Sequence, residues 1–217
     1  MNKKQGVFFC AALVCLVLFA LLTVVVLTVD VDAIGPEGSS IGLSSLNSKM
    51  HDAIPYNQFL YEMTELLGML ALLIAVAFAL FGAVQLIRGR SFKAVDKDIY
   101  LLAALYVVAA ASYVFFEIIV VNYRPVILVG EELEASFPSS QTLRAVTFIG
   151  SAMYQILRRI KRAAIKYSIF SLGSLFMTVT VIGRLLCGVH WFTDILGGLL
   201  LGAAILFAYI GACEKIR

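Results

Sequence analysis

Six apolar runs, each close to the length needed to cross a bilayer, leave this chain few ways to fold. They cover about residues 7–29, 63–87, 99–121, 140–157, 165–186 and 193–213. A helical span takes about 20 residues. In hydrocarbon the backbone must satisfy its own polar groups, so only helices and closed barrels cross, and continuous runs of this length are helical. The chain is 61% hydrophobic and 14% charged, which excludes an ordinary soluble domain. The expected fold is all-α and integral to the membrane: six transmembrane helices in a single domain over residues 1–217. The first run exceeds the apolar core of a signal peptide, about 7–15 residues, and ends in VVVLTVDVD; it reads as a retained span.

Between the runs lie polar segments. Residues 30–61 form a Gly-, Ser- and Pro-containing loop with a short amphipathic helix expected near its end. Glu65, near the start of the second run, reads as an interfacial charge, and His51 as a solvated loop residue. The loop at 122–140 carries Arg124 and the acids Glu131, Glu132 and Glu134, read as an exposed acidic loop. Cys10, Cys15, Cys187 and Cys213 show no metal spacing or disulfide framework and read as small packing residues. Gly197, Gly198, Gly202 and Gly211 in the last run offer close helix contacts. No nucleic-acid motif and no cofactor-binding loop is present.

The cations set the orientation. Of 17 lysines and arginines, 13 fall on one side of a six-span arrangement: both ends of the chain and the basic loops at 88–97 and 158–166. The positive-inside rule makes that side cytoplasmic. Lys49, Arg124, Arg144 and Arg184 remain on the other side, together with both histidines.

That outer side concentrates chemistry. Residues 183–194 read GRLLCGVHWFTD and place Arg184, His190 and Asp194 between two apolar runs. A charge at the bilayer centre costs about 2.5–3.5 kcal/mol, so such groups gather at span ends or in polar cavities. If a helix starts near His190, the four-residue spacing puts His190 and Asp194 on one face. The carboxylate then holds one imidazole nitrogen and leaves the other free as nucleophile or base. Arg184 supplies a planar fork of donors suited to phosphate. A snorkelling arginine, an interfacial histidine and a helix-start aspartate account for the same three residues. Two further segments face the same side: NYRP at 122–125 and FPSSQT at 137–142. Pro138 followed by Ser139 and Ser140 suits a helix start, whose free N–H groups and partial positive charge favour an anion.

Arg124-Pro125, the PSSQT block, and Arg184 followed by His190 and Asp194 resemble, in order and spacing, the three motifs of the type 2 phosphatidic acid phosphatase family. The resemblance implies a helical bundle related to acid phosphatases and vanadium haloperoxidases, and an integral membrane lipid phosphatase. It implies His190 as the attacking nucleophile, forming a phosphohistidine, with Asp194 orienting it. Arg124, Arg184, Ser139 and Ser140 would hold the phosphate oxygens, and such a site needs no metal or other cofactor. The substrate would be a lipid phosphate or diphosphate in the bilayer: an isoprenoid pyrophosphate, a phosphatidylglycerophosphate or a phosphatidic acid. The site would lie on the extracytoplasmic face of the cell membrane, with both termini cytoplasmic.

The chain departs from the family's motifs in three places. Glu117 stands where the first motif has a lysine; Arg144, three residues after Gln141, is the candidate to replace that cation. Gly183 stands where the third motif usually has serine. Gln141 stands where the second motif has the histidine that protonates the leaving alkoxide. A glutamine is no acid at neutral pH, and general acid–base groups are worth about 10²–10⁴-fold, so poor turnover is expected. A weakened or repurposed natural relative and a position altered to trap an intermediate are both open, and the intact remainder of the motif favours the second. A non-catalytic lipid-phosphate binder or carrier, and a phosphotransferase, are the alternative functions.

Overall fold

The computed structural model describes residues 3–130 and 132–216, and among these the regular structure is helical. The helices are α1 (Lys3–Thr28), α2 (Ser44–Ala53), α3 (Gln58–Gly89), α4 (Lys97–Ile118), α5 (Ser140–Arg144), α6 (Gly150–Arg159), α7 (Ala163–Leu186) and α8 (Phe192–Lys215). Five of them, α1, α3, α4, α7 and α8, are long and apolar enough to cross a membrane. The stretch expected as a further span, 140–157, is helical to Arg159 but divided: a π-helical segment, Ala145–Ile149, joins α5 to α6. Their outward faces carry exposed Leu, Val, Ile and Phe, as a surface solvated by lipid requires.

Helix α3 begins at Gln58, earlier than hydropathy alone indicates. The side chain of Asn57 accepts the Leu60 N–H at 3.0 Å and caps it there. The extra turn puts Tyr61, Thr64, Glu65 and Gly68 at i, i+3, i+4 and i+7, so they share one face. That face looks at the ends of α5 and α7.

Helices α1 and α8 pack antiparallel. Phe8 meets Phe207 near one end (ring centroids 6.3 Å apart), and Gly211 leaves room for the Phe9 ring. Toward the other end Phe19 stacks on Phe137 at 5.8 Å, and Phe116 of α4 meets both rings edge-on. Phe137 is buried against Gly197, where a Cβ would lie 2.7 Å from its ring. The next glycine, Gly198, admits α5: a Cβ there would sit 2.7 Å from the Ser139 carbonyl oxygen. These two glycines let the 137–142 block close on the start of α8.

The loop before α3 folds over the same end. Asp30 accepts from Ser44 Oγ (3.0 Å) and the Ser45 N–H (2.8 Å), which holds the start of α2. Asn47 of α2 donates to Thr193 Oγ1 (3.0 Å) and accepts the Thr193 N–H (3.3 Å). The loop expected to be solvated is therefore a clamp on the α7–α8 junction. His51 is part of it: its ring packs 5.4 Å from that of Trp191, and burial lowers its pKa.

The opposite end of the bundle is tied by charge. Arg159 pairs with Asp98 at 3.1 Å and Asp96 at 3.4 Å, and the Tyr154 hydroxyl donates to Glu214 at 2.8 Å. The basic segments after α3 and α6 lie at this end, away from Arg124, Arg184 and His190.

The close approach at Gly198 gives a test. Gly198→Ala forces a methyl group against the Ser139 backbone carbonyl, and overpacking costs about 1–3 kcal/mol. Its thermal midpoint in detergent should fall well below wild type. Gly211→Ala meets only a ring that can move, 3.2 Å away, and should change the midpoint little. Equal midpoints for the two variants would contradict this packing.

Candidate active site

The α7–α8 junction turns sharply. Gly188 has φ +72°, a left-handed conformation that favours glycine, and a Cβ there would lie 2.8 Å from Tyr56 N. The Cys187 carbonyl accepts the Asn57 N–H at 3.0 Å, which joins the turn to the start of α3. The Cys187 thiol donates to the Arg184 carbonyl at 3.1 Å and faces the backbone.

His190 follows this turn and is buried. Asp194 sits in the first turn of α8 and accepts the Trp191 N–H at 2.8 Å, as an acid at this position of a helix start does. Its other oxygen accepts from Asn122 Nδ2 at 3.3 Å. The His190 Nδ1–Asp194 Oδ2 distance is 3.7 Å, and Ser136 bridges the two. The Ser136 hydroxyl donates to Asp194 Oδ2 and lies 3.1 Å from His190 Nδ1. Asp194 thus orients the imidazole through a hydroxyl as well as by charge. On the far side, His190 Nε2 is 3.5 Å from Arg184 Nη2. A guanidinium has no acceptor, so Nε2 facing it carries the lone pair and Nδ1 carries the proton. Burial first, then the charges of Arg184 and Arg124, hold the His190 pKa well below 6.5.

The segment between α4 and α5 is held as a narrow loop. Tyr123 and Ala135 form an antiparallel bridge, the Arg124 N–H donates to the Glu134 carbonyl (3.0 Å), and the Ser136 N–H to that of Asn122 (2.8 Å). Trp191 Nε1 donates to the Tyr123 carbonyl at 2.7 Å. Asn122, Arg124, Glu134 and Ser136 are thereby brought to His190 together.

Arg184 is almost fully enclosed at 1% exposure. Its Nη1 is 3.0 Å from Glu65 Oε1 and 3.2 Å from Thr64 Oγ1, and the guanidinium lies 5.1 Å from the Tyr61 ring centroid. Gln141 is buried, and its Nε2 donates to Glu65 Oε2 at 2.7 Å. Gly68 makes room for it, because a Cβ there would lie 2.0 Å from Gln141 Oε1. Glu65 is thus no interfacial bystander. It joins Gln141 to Arg184, and Arg184 reaches His190.

Arg124, Arg184, His190, Gln141, Ser140, Arg144 and Glu117 all line one cavity of about 210 Å³, with Glu65, Glu134 and Tyr61. Arg124 pairs with Glu134 at 2.7 Å. Arg144 donates from Nε to the Ser140 carbonyl at 3.4 Å. Ser139, expected to contact phosphate, does not line the cavity: its hydroxyl accepts the Thr142 N–H at 3.4 Å and caps α5. Asp194 stands behind His190, and His51 does not line the cavity. Glu131 lies outside the described residues. Glu134 is engaged with Arg124, and the described residues contain no group of three His, Cys, Asp or Glu side chains placed to bind a metal. Glu65, Thr64, Asn122, Ser136 and Glu134 contact the candidate site residues, and the motifs assigned them no role there. For Glu65 the available signal was its i+4 spacing from Tyr61 on a capped helix start.

Comparisons with known proteins agree with this architecture. Residues 119–216 match the family model described as the PAP2 superfamily. A segment is 31% identical over 86 residues to lipid phosphate phosphatase delta of Arabidopsis thaliana, covering 39% of this chain. The chain spans about a fifth of that relative's length (21%). The crystal structure of a transmembrane PAP2-type phosphatidylglycerolphosphate phosphatase from Bacillus subtilis superposes with a TM-score of 0.69 at 20% identity, covering 95% of this chain and 98% of that one. The bundle thus has a PAP2 membrane phosphatase fold, and residues 119–216 are similar to the PAP2 superfamily.

Proposed function

We propose that this chain is an integral membrane hydrolase that removes phosphate from a lipid phosphate or diphosphate by way of a phosphohistidine at His190. One observation carries the reading: His190, with Nε2 facing Arg184, borders a cavity that also holds Arg184 and Arg124. Phosphoryl transfer needs positioning and charge stabilisation more than any other contribution from a protein. Two guanidiniums, with Arg144 on the same wall, supply both.

The phosphate oxygens would take over the donors of Arg184 and Arg124 now paired with Glu65 and Glu134. Ser140, at the first position of α5, would add its hydroxyl. His190 would attack phosphorus with Nε2. The positive charge arising on the ring would face Ser136 and, beyond it, Asp194. Water would then release phosphate and free His190. The expected penalty for Gln141 applies to a site in which residue 141 itself delivers the proton.

A lipid substrate is supported by the surroundings and by the relatives' names. An apolar groove of about 640 Å³ between α1, α4 and α8 shares Ser112 with the polar cavity, so a chain lying in hydrocarbon could carry its head group into the site. The proposed substrate class is an isoprenoid pyrophosphate, a phosphatidylglycerophosphate or a phosphatidic acid. The basic end of the bundle would face the cytoplasm of the cell membrane, with the site opening on the other face.

Two outcomes check the reading. After rapid quenching with ³²P-labelled lipid phosphate, the protein should carry an acid-labile, alkali-stable phosphoryl label. His190→Ala should show no label and at least about 10³-fold lower turnover; an undiminished label would contradict the assignment. The second concerns pH. His190 attacks only when neutral, and its pKa is held well below 6.5. As pH falls from 7.5 through 6.5, kcat/KM corrected for the substrate's own ionisation should be retained, and lost only further down. A loss centred near 6.5 would show a histidine with no such environment.

A further inference from the structure

Resting on the phosphatase reading, one step still lacks a residue. The leaving group is an alkoxide, or a lipid phosphate in the diphosphate case, and an alkoxide must be protonated as the P–O bond breaks. Gln141, at the position from which the family's histidine would do this, has no proton to give. The cavity's other ionisable groups are Glu65, Glu117, Glu134, Tyr61, Tyr113 and the three arginines. The arginines do not deprotonate. Glu134 is engaged with Arg124, and Glu117 is an exposed residue at the end of α4. Among the described carboxylates of the cavity, Glu65 joins Gln141 (2.7 Å) to the guanidinium that reaches His190.

We propose that Glu65 is the proton-transfer residue of this enzyme, donating to the leaving oxygen and then accepting from the attacking water, with Gln141 positioning its carboxyl group. The Gln141 amide donates to Oε2 and leaves Oε1 as the oxygen that carries the proton. Oε1 now faces Arg184. When phosphate occupies Arg184, that contact is released and Oε1 is free to face the leaving oxygen. Gly68 leaves the room in which the Gln141 amide sits beside Glu65.

The steps balance. His190 Nε2 forms a bond to phosphorus while the P–O bond to the lipid breaks. The electron pair goes to the leaving oxygen, which takes the Glu65 proton, leaving an alcohol, a phosphohistidine and a carboxylate. A water oxygen then bonds to phosphorus and the P–N bond breaks, its pair returning to Nε2. The water's proton goes to Glu65 and restores the acid. The residue at position 141 has not removed the acid from the site; the acid sits one hydrogen bond away, on α3.

The test compares leaving groups. Wild type, Glu65→Gln, Glu65→Gln/Gln141→His and His190→Ala are assayed in detergent with a long-chain alkyl phosphate and with p-nitrophenyl phosphate, whose leaving group needs no acid. Glu65→Gln should lose about 10²–10⁴-fold in kcat on the alkyl phosphate. Its loss on p-nitrophenyl phosphate should be at least about tenfold smaller. The contrast is taken within one preparation, so partial misfolding does not produce it. Adding Gln141→His to Glu65→Gln should restore alkyl phosphate hydrolysis. Equal losses on both substrates, or no loss on either, would overturn the role of Glu65 while leaving a His190-dependent phosphatase in place. Wild type as inactive as His190→Ala on both would overturn the phosphatase reading, and this inference with it.

Discussion

The Arg184 guanidinium is the constraint to which the rest of the site answers. An isolated charge enclosed in an apolar bundle is costly, and removing one member of a buried pair leaves the other uncompensated. At 1% exposure Arg184 has little water to turn to, so its partners must come from the protein. They come from α3, which supplies Thr64, Glu65 and the Tyr61 face, and from His190 across the turn at Gly188. This explains why α3 starts at Gln58, ahead of its apolar run. A helix beginning five residues later would leave Tyr61 off the helix, and Thr64 and Glu65 in an uncapped first turn.

The same economy of charge runs through the cavity. Two arginines that a phosphate would use are held by carboxylates, Arg184 by Glu65 and Arg124 by Glu134. On the proposed reading, an entering oxyanion would exchange one set of partners for another, with the guanidiniums already oriented by Glu65 and Glu134. Charge-assisted pairs of this kind are directional and strong when shielded from water. Behind His190 the support is layered: Asp194 is held by Trp191 and Asn122, and Ser136 lies between carboxylate and ring. The loop from Asn122 to Ser136 and the glycines at 197 and 198 exist, in structural terms, to close these layers.

Hydropathy revealed the helices to within a few residues, because lipid solvation demands long apolar runs and tolerates little else. The convergence of Arg124, Gln141, Arg184 and His190 on one cavity was legible from the sidedness of the cations and from motif order. What escaped did so for identifiable reasons. Glu65 lies 76 residues before Gln141, and a charge near a span start is indistinguishable by composition from an interfacial one. Ser136 is a common residue before a proline turn, and nothing local marks it as the link between His190 and Asp194. Ser139 carried a residue type that suits both phosphate and a helix cap; the α5 backbone took it. The π-helical segment at Ala145–Ile149 has no sequence signal, since it reflects how α5 must turn to seat on α8.

The central claim is that distant parts of the chain form one oxyanion pocket around the free nitrogen of His190. The most direct measurement is a structure of the protein with orthovanadate, which takes up the five-coordinate geometry of phosphoryl transfer. The account predicts vanadium within bonding distance of His190 Nε2, equatorial oxygens on Arg124 and Arg184, and Glu65 beside the apical oxygen. Vanadate bound away from His190, or held there by neither arginine, would contradict it.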